Sequence, residues 1–211
     1  MKKGILFDLD GTLWDSSQAV IDAWNECIAK NTDLDRKFTR GQMQSYMGKT
    51  LEKIAGLMFP DLAEADRVHI LKLCSDYELE YLKSHNAEYF PGEREILEAL
   101  HKEYFLAVVS NCQDGYIQLF LEKSGYSDLF SDFESAGKTG LDKGENIKLV
   151  AERNGLESII YVGDTDLDGQ AARKAGVPFV HAGYGFGSPD VYDLRINDIK
   201  ELPEAAAKLL K

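Results

Sequence analysis

The sequence predicts an α/β protein built on a parallel sheet and carrying a helical insertion. Three observations predict it. Short apolar runs stop at polar residues or glycine, helix-spaced apolar stripes lie between them, and nearly a hundred residues separate the first run, Ile5-Leu6-Phe7, from the second, Phe105 to Val109. Short runs bounded in this way read as buried strands, and strands alternating with helices imply parallel pairing. A parallel crossover needs only about a dozen residues, so the long gap holds inserted material.

Taken in order, Ile5-Leu6-Phe7 is the first strand, and Leu13 to Ser16 leads out of it as a linker. Val20, Ile21, Trp24 and Ile28 then make one apolar stripe at helical spacing, and Met43, Tyr46 and Met47 a second. Val68, Leu71, Cys74 and Tyr77 to Tyr81 mark a long third helix. A second linker, Glu88 to Gly92, returns to the sheet, so the insertion spans Ser16 to Tyr89. Its Met, Trp and Tyr residues read mainly as packing, with the loop Gly48-Lys49-Thr50 able to face a ligand. From Glu93, the residues Ile96, Leu97 and Leu100 form a helix ahead of the strand Phe105 to Val109. From Glu145, the residues Ile147, Val150 and Ala151 form another that ends at Gly155. The runs Ile159 to Val162 and Val177 to Val180 complete the predicted strands.

With 211 residues, the chain is long enough for one core domain of about 100–150 residues plus an accessory part. At 44% hydrophobic and 28% charged residues it has the composition of a globular protein. A formal net charge of -12 opposes nucleic acid and anionic membranes as partners, so any phosphate handled here needs local cations. Cys27, Cys74 and Cys112 are odd in number and form no Cys-x-x-Cys pair, which points to a reducing cytoplasmic location. Asp8 interrupts the N-terminal apolar run too early for a signal peptide, and no apolar stretch has membrane-spanning length.

Asp8-Leu9-Asp10-Gly11-Thr12 stands where the first strand ends, the edge at which open parallel sheets bind ligands. Two carboxylates so close repel, and a divalent cation compensates both. One can then act as a nucleophile and the other as a general acid and base. Taken alone, the pair is as readily a solvated turn. A second carboxylate cluster, Gly163-Asp164-Thr165-Asp166-Leu167-Asp168-Gly169, follows the strand Ile159 to Val162 and occupies the same edge. Oxygen donors without a neighbouring His or Cys suit magnesium, and the twelve-residue frame of a calcium loop is missing. Ser110-Asn111 ends the strand Phe105 to Val109 with a hydroxyl and an amide donor, and Lys143 supplies a cation beside a predicted helix.

In that order, Asp8-x-Asp10-x-Thr12, Ser110-Asn111, Lys143 and Gly163-Asp164-x-x-x-Asp168 resemble the four motifs of the haloacid dehalogenase-like hydrolase superfamily. The insertion, with Leu13-x-Asp15-Ser16 and Phe90-Pro91-Gly92 flanking it, is similar to the helical cap of the phosphoglycolate phosphatase-like branch. The resemblance implies a Rossmann-like three-layer α/β core over residues 1–15 and 90–211, plus an all-helical cap domain over 16–89. It implies Asp8 as nucleophile and metal ligand, and Asp10 as acid/base offering a metal its backbone carbonyl. Thr12, Ser110, Asn111 and Lys143 would bind the substrate phosphoryl group. Asp164 would hold Mg2+ directly, with Asp168 beside it or behind it. Where the family lysine commonly precedes proline, Lys143 precedes Gly144, and Lys138 stands five residues earlier as a rival. Asp10 argues against the dehalogenases, the P-type ATPases and the phosphonate-cleaving branch, which carry other residues there.

The expected activity is magnesium-dependent hydrolysis of a small phosphorylated metabolite through a phosphoaspartate on Asp8. A phosphosugar mutase using the same phosphoaspartate and a non-catalytic module are the alternatives. The sequence leaves the substrate and the oligomeric state open.

Overall fold

The computed structural model describes residues 2–210. Its main sheet has six strands in the order β5-β4-β1-β6-β7-β8, every adjacent pair parallel. These are β1 (Lys3–Phe7), β4 (Phe105–Ser110), β5 (Asp132–Ser135), β6 (Ser158–Gly163), β7 (Phe179–Ala182) and β8 (Leu194–Ile196). Two short strands, β2 (Trp14–Asp15) and β3 (Glu88–Tyr89), pair antiparallel in a separate ribbon. The helices are α1 (Ser17–Asn31), α2 (Arg40–Tyr46), α3 (Leu51–Met58), α4 (Glu64–Ser84), α5 (Glu93–His101), α6 (Tyr116–Ser124), α7 (Ala136–Thr139), α8 (Lys143–Arg153), α9 (Asp166–Ala175) and α10 (Leu202–Leu209).

Alternation along the strands divides the core into two layers, because successive side chains leave a strand on opposite faces. Leu6, Val109 and Tyr161 pack on one face with Ile147 and Val150 of α8 and Ala172 of α9. Ile5, Phe7, Val108 and Val162 pack on the other, with Leu97 of α5, Phe120 of α6 and Leu202 of α10. Both faces are covered, which is why the central strands read as unbroken apolar runs.

The chain leaves β1 for β4 and β5 on one side, then crosses to β6 on the other. The switch point at the C-terminal end of β1 is where such sheets bind ligands. Helices α1 to α4 lie between the two strands of the ribbon. Trp24, Cys27 and Ile28 of α1 are buried, as are Leu71 and Cys74 of α4, and the two helices pack together. Helix α4 also meets α6, which seats the four-helix segment on the sheet's own helices.

Several boundaries differ from the sequence reading for local reasons. The segments read as linkers pair through Trp14 opposite Tyr89, a contact between residues distant in the chain. The last-read strand starts at Phe179 instead of Val177, since Pro178 has no N–H for a ladder and stands at the strand's start. The helix read from Glu145 starts at Lys143, where Asp142 caps it and exchanges bonds with Glu145. Among the described residues, no helix is long and apolar enough to cross a membrane.

Candidate active site

Three strand ends and two helix starts converge on the motif residues. Asp8 follows β1 directly, and its backbone N–H donates to the Val162 carbonyl at 2.8 Å, so β1 and β6 stay paired up to the site. Asp164 follows β6, and Ser110 closes β4. Asp168 belongs to the first turn of α9, where Thr165 is the N-cap and the two residues form a reciprocal capping box.

One carboxylate oxygen from each of Asp8, Asp164 and Asp168 lies within 4.8 Å of the others, and all three residues are buried. Lys143 occupies the first turn of α8 and is 3% exposed. Its ammonium donates to Asp8 Oδ1 at 2.8 Å and to Asp168 Oδ1 at 2.7 Å. Burial opposes the lysine's charge, but Asp168 and Asp8 outweigh that cost and hold its pKa above the ordinary range. Burial pushes Asp8 up to about 7 against the pull of Lys143. It also holds Asp164 well above the usual carboxylate range, reinforced by Asp168 and Asp8. The rival, Lys138, is half exposed and lies 3.5 Å from Glu134, a residue outside this cluster.

The partners of each oxygen bear on the fit to a cation. Asp168 is fully engaged: Oδ1 by Lys143, Oδ2 by the Thr165 N–H and hydroxyl. Asp164 Oδ2 accepts from the Phe186 N–H at 2.7 Å. Asp8 Oδ2 and Asp164 Oδ1, by contrast, are buried with no hydrogen-bond partner among the described residues. Two unpaired carboxylate oxygens in a dry site are costly, and a hard divalent cation compensates both. The residues therefore fit magnesium.

Asp10 is nearby with its carboxylate turned to other partners. Its Oδ1 accepts from Trp14 Nε1 at 3.0 Å, Ser16 Oγ at 2.6 Å and Tyr116 Oη at 3.0 Å. Burial raises its pKa, with these three bonds opposing the rise. Ser110 is buried, Thr12 Oγ1 is buried without a partner, and the Asn111 side-chain amide donates to the Gly48 carbonyl at 2.8 Å. Asn111 thus joins the sheet edge to the loop between α2 and α3.

The sequence model of one family, described as haloacid dehalogenase-like hydrolase, matches residues 5–182, most of the chain. The chain belongs to that family. It is 30% identical to a phosphoglycolate phosphatase from Nitrosospira multiformis, an alignment covering 99% of this chain and 96% of the relative. A phosphoglycolate phosphatase from Rhodospirillum rubrum is 28% identical, over 92% of this chain and 85% of the relative. The fold matches a haloacid dehalogenase-like hydrolase from Streptococcus pneumoniae with a TM-score of 0.81 at 21% identity, covering 97% of this chain and 98% of the other. A Haemophilus somnus structure matches with a TM-score of 0.84 at 24% identity, over 97% and 98%. The phosphoglycolate phosphatase-like branch anticipated from the helical insertion and its flanking segments is the one in which these sequence relatives lie.

In this haloacid dehalogenase-like hydrolase, sequence reading missed the loop Gly183 to Ser188. A Cβ on Gly185 would lie 2.4 Å from both Asp164 Cβ and the Gly11 carbonyl oxygen, and one on Gly187 would lie 2.5 Å from the Asp164 carbonyl oxygen. Both glycines let the loop press on Asp164 while the Phe186 N–H donates to its carboxylate. From the same loop, the Tyr184 hydroxyl donates to the Thr12 carbonyl at 3.0 Å. Alternating glycines directly after a strand were the available signal. Trp14 and Tyr116 carried none, since their link to Asp10 depends on tertiary packing.

Proposed function

We propose that this enzyme hydrolyses a small phosphate monoester by passing the phosphoryl group through Asp8, with magnesium bound by Asp8, Asp164 and the Asp10 backbone carbonyl. The observation that carries the reading is the Lys143 ammonium set between Asp8 and Asp168 beside two unpaired carboxylate oxygens. This is a nucleophile held in place by a cation, with room in its electrostatics for a second one. Magnesium, when bound, supplies positive charge that offsets the repulsion between the Asp8 carboxylate and an incoming phosphate.

Lys143 orients Asp8 and neutralises charge on the phosphoryl oxygens as it spreads. Ser110 and Thr12 offer hydroxyls to those oxygens. An oxygen of Asp8 forms a bond to phosphorus as the ester oxygen leaves, and the Asp10 carboxyl gives its proton to that leaving oxygen. The raised pKa of buried Asp10 favours the protonated form that this step requires. Asp10 then takes a proton from water, the water oxygen bonds to phosphorus, and Asp8 is released along with inorganic phosphate. Asp168 acts through Lys143 and the α9 cap.

Residues 16–89 serve as a cap that keeps bulk water from the phosphoaspartate, and residues 1–15 and 90–211 serve as the catalytic core. The bonds Asn111 to Gly48 and Gln113 to Glu78 support this role, since each joins a loop beyond β4 to the helical segment.

The test is phosphate release from a panel of phosphorylated metabolites with and without magnesium, alongside mass spectrometry of rapidly quenched enzyme. Phosphate on the peptide containing Asp8, and loss of both signals in Asp8→Asn, are the expected results. Magnesium-dependent turnover by Asp8→Asn overturns the reading.

A further inference from the structure

Helix α4 delivers one carboxyl group to a region where the helical segment presents mostly hydrocarbon. Glu78 is 4% exposed and accepts hydrogen bonds from the Trp24 indole of α1 and from Gln113 Nε2, the latter at 3.0 Å. Among the described residues no lysine, arginine or histidine forms an ion pair with it. A carboxylate buried without a cation is destabilising, so a packing role alone does not account for it.

Its surroundings suggest what it does. Glu78 lines a cavity of about 50 Å³ that Asp10, Ser110 and Asn111 also line, so the residue borders the space next to the proposed acid/base and phosphoryl-binding groups. Val20, Met43, Leu51 and Ile54 form apolar walls. The cation of the lining, Lys49, donates its ammonium to the Ser45 carbonyl. A leaving group bonded to phosphate at Asp8 and protonated by Asp10 would enter this cavity, where Glu78 is a hydrogen-bond acceptor fixed on the helical segment. Burial pushes the Glu78 carboxyl up to about 7, and its two neutral donors orient it without cancelling the charge it carries above that pH.

We propose that Glu78 determines specificity: it accepts a hydrogen bond from a hydroxyl or ammonium group of the leaving alcohol and repels leaving groups that carry a carboxylate. The substrate is then the monophosphate of a small alcohol whose other end is uncharged or cationic. This inference rests on the phosphatase reading above, and it separates this chain from relatives named for phosphoglycolate, whose non-phosphate end is an anion.

The experiment measures kcat/KM with magnesium for glycerol phosphate, phosphoethanolamine and phosphoglycolate, using the wild type and Glu78→Gln. The wild type should favour at least one of the first two over phosphoglycolate by about tenfold or more, because like charges brought together across an interface are strongly disfavoured. Glu78→Gln, nearly isosteric and uncharged, should shrink that ratio by about the same factor. A wild-type preference for phosphoglycolate, or a ratio unmoved in folded Glu78→Gln, overturns the assignment while leaving the phosphatase reading intact. Failure to release phosphate from any ester in a broader panel overturns both. Should circular dichroism show Glu78→Gln unfolded, the wild-type ratio alone decides.

Discussion

Lys143 reaches Asp8 across 135 positions of sequence and places its ammonium 2.8 Å from the Asp8 Oδ1 oxygen. The contact exists because α8 begins at Lys143 on the face of the sheet beside the C-terminal end of β1, and the same ammonium also satisfies Asp168.

Lys143→Ala is expected to lower kcat by about 10²–10³-fold, the usual cost of removing a preorganised charge from a transition state. It should also destabilise the magnesium-free protein by about 3–5 kcal/mol, since it leaves buried carboxylates without their partner. Lys138→Ala should differ little from wild type in either measurement, because Lys138 is half exposed and pairs with Glu134. Steady-state kinetics and urea unfolding of both variants check the pair.

Magnesium should raise the melting temperature in proportion to the logarithm of its concentration above Kd, and chelation should reverse the rise, because an ion that binds only the folded state stabilises it by mass action. Asp164→Asn should remove most of that response, since Asp164 Oδ1, like Asp8 Oδ2, is a buried oxygen of the carboxylate cluster without a partner among the described residues. Differential scanning fluorimetry across a magnesium titration measures both, independently of any substrate.

Much of this site was legible in the sequence because its key residues follow short apolar strands. A buried strand cannot tolerate a charge, so Asp8 after Ile5-Leu6-Phe7 and Asp164 after Ile159 to Val162 mark the point where the chain leaves the sheet. Helices α1 and α4 were legible from stripes such as Val20, Trp24 and Ile28. Groups whose meaning depends on distant partners were not. Trp14 and Tyr89 form strands only by pairing with each other. Arg195 gives β8 the look of a loop, and Glu78 reads as one more charge on a helix until Trp24 and Gln113 close over it.

Gly185→Ala tests the glycine loop. The new Cβ would lie 2.4 Å from a backbone oxygen and from the Cβ of Asp164, and neither atom can swing aside as a flexible side-chain end could. The loop must retreat, which costs about 1–3 kcal/mol as overpacking does and moves the Phe186 N–H away from Asp164 Oδ2. A lower melting temperature together with a weaker magnesium-induced rise is expected. Gly155→Ala makes a useful comparison: its φ of +61° carries a conformational cost, but a Cβ there meets nothing within 4 Å, so its magnesium response should match wild type.

Glu93 provides a pH signature outside the active site. It opens α5 just after the β3 strand, is 1% exposed, and burial pushes its pKa from 4.5 up to about 8. Between those values the folded chain holds the Glu93 proton while the unfolded chain releases it, so the folded state binds more protons. Stability linked to this group is therefore fully present below the unfolded pKa and is lost as pH rises through the folded one. Glu93→Gln cannot ionise and lacks that loss. Its melting temperature relative to wild type should thus climb from about pH 5 to about pH 8 and level off above that. A tenfold difference in proton affinity between the two states is worth about 1.4 kcal/mol, so the full effect amounts to about 5 kcal/mol at most. A difference between variant and wild type that stays constant over this range would mean that Glu93 titrates alike in the folded and unfolded chains.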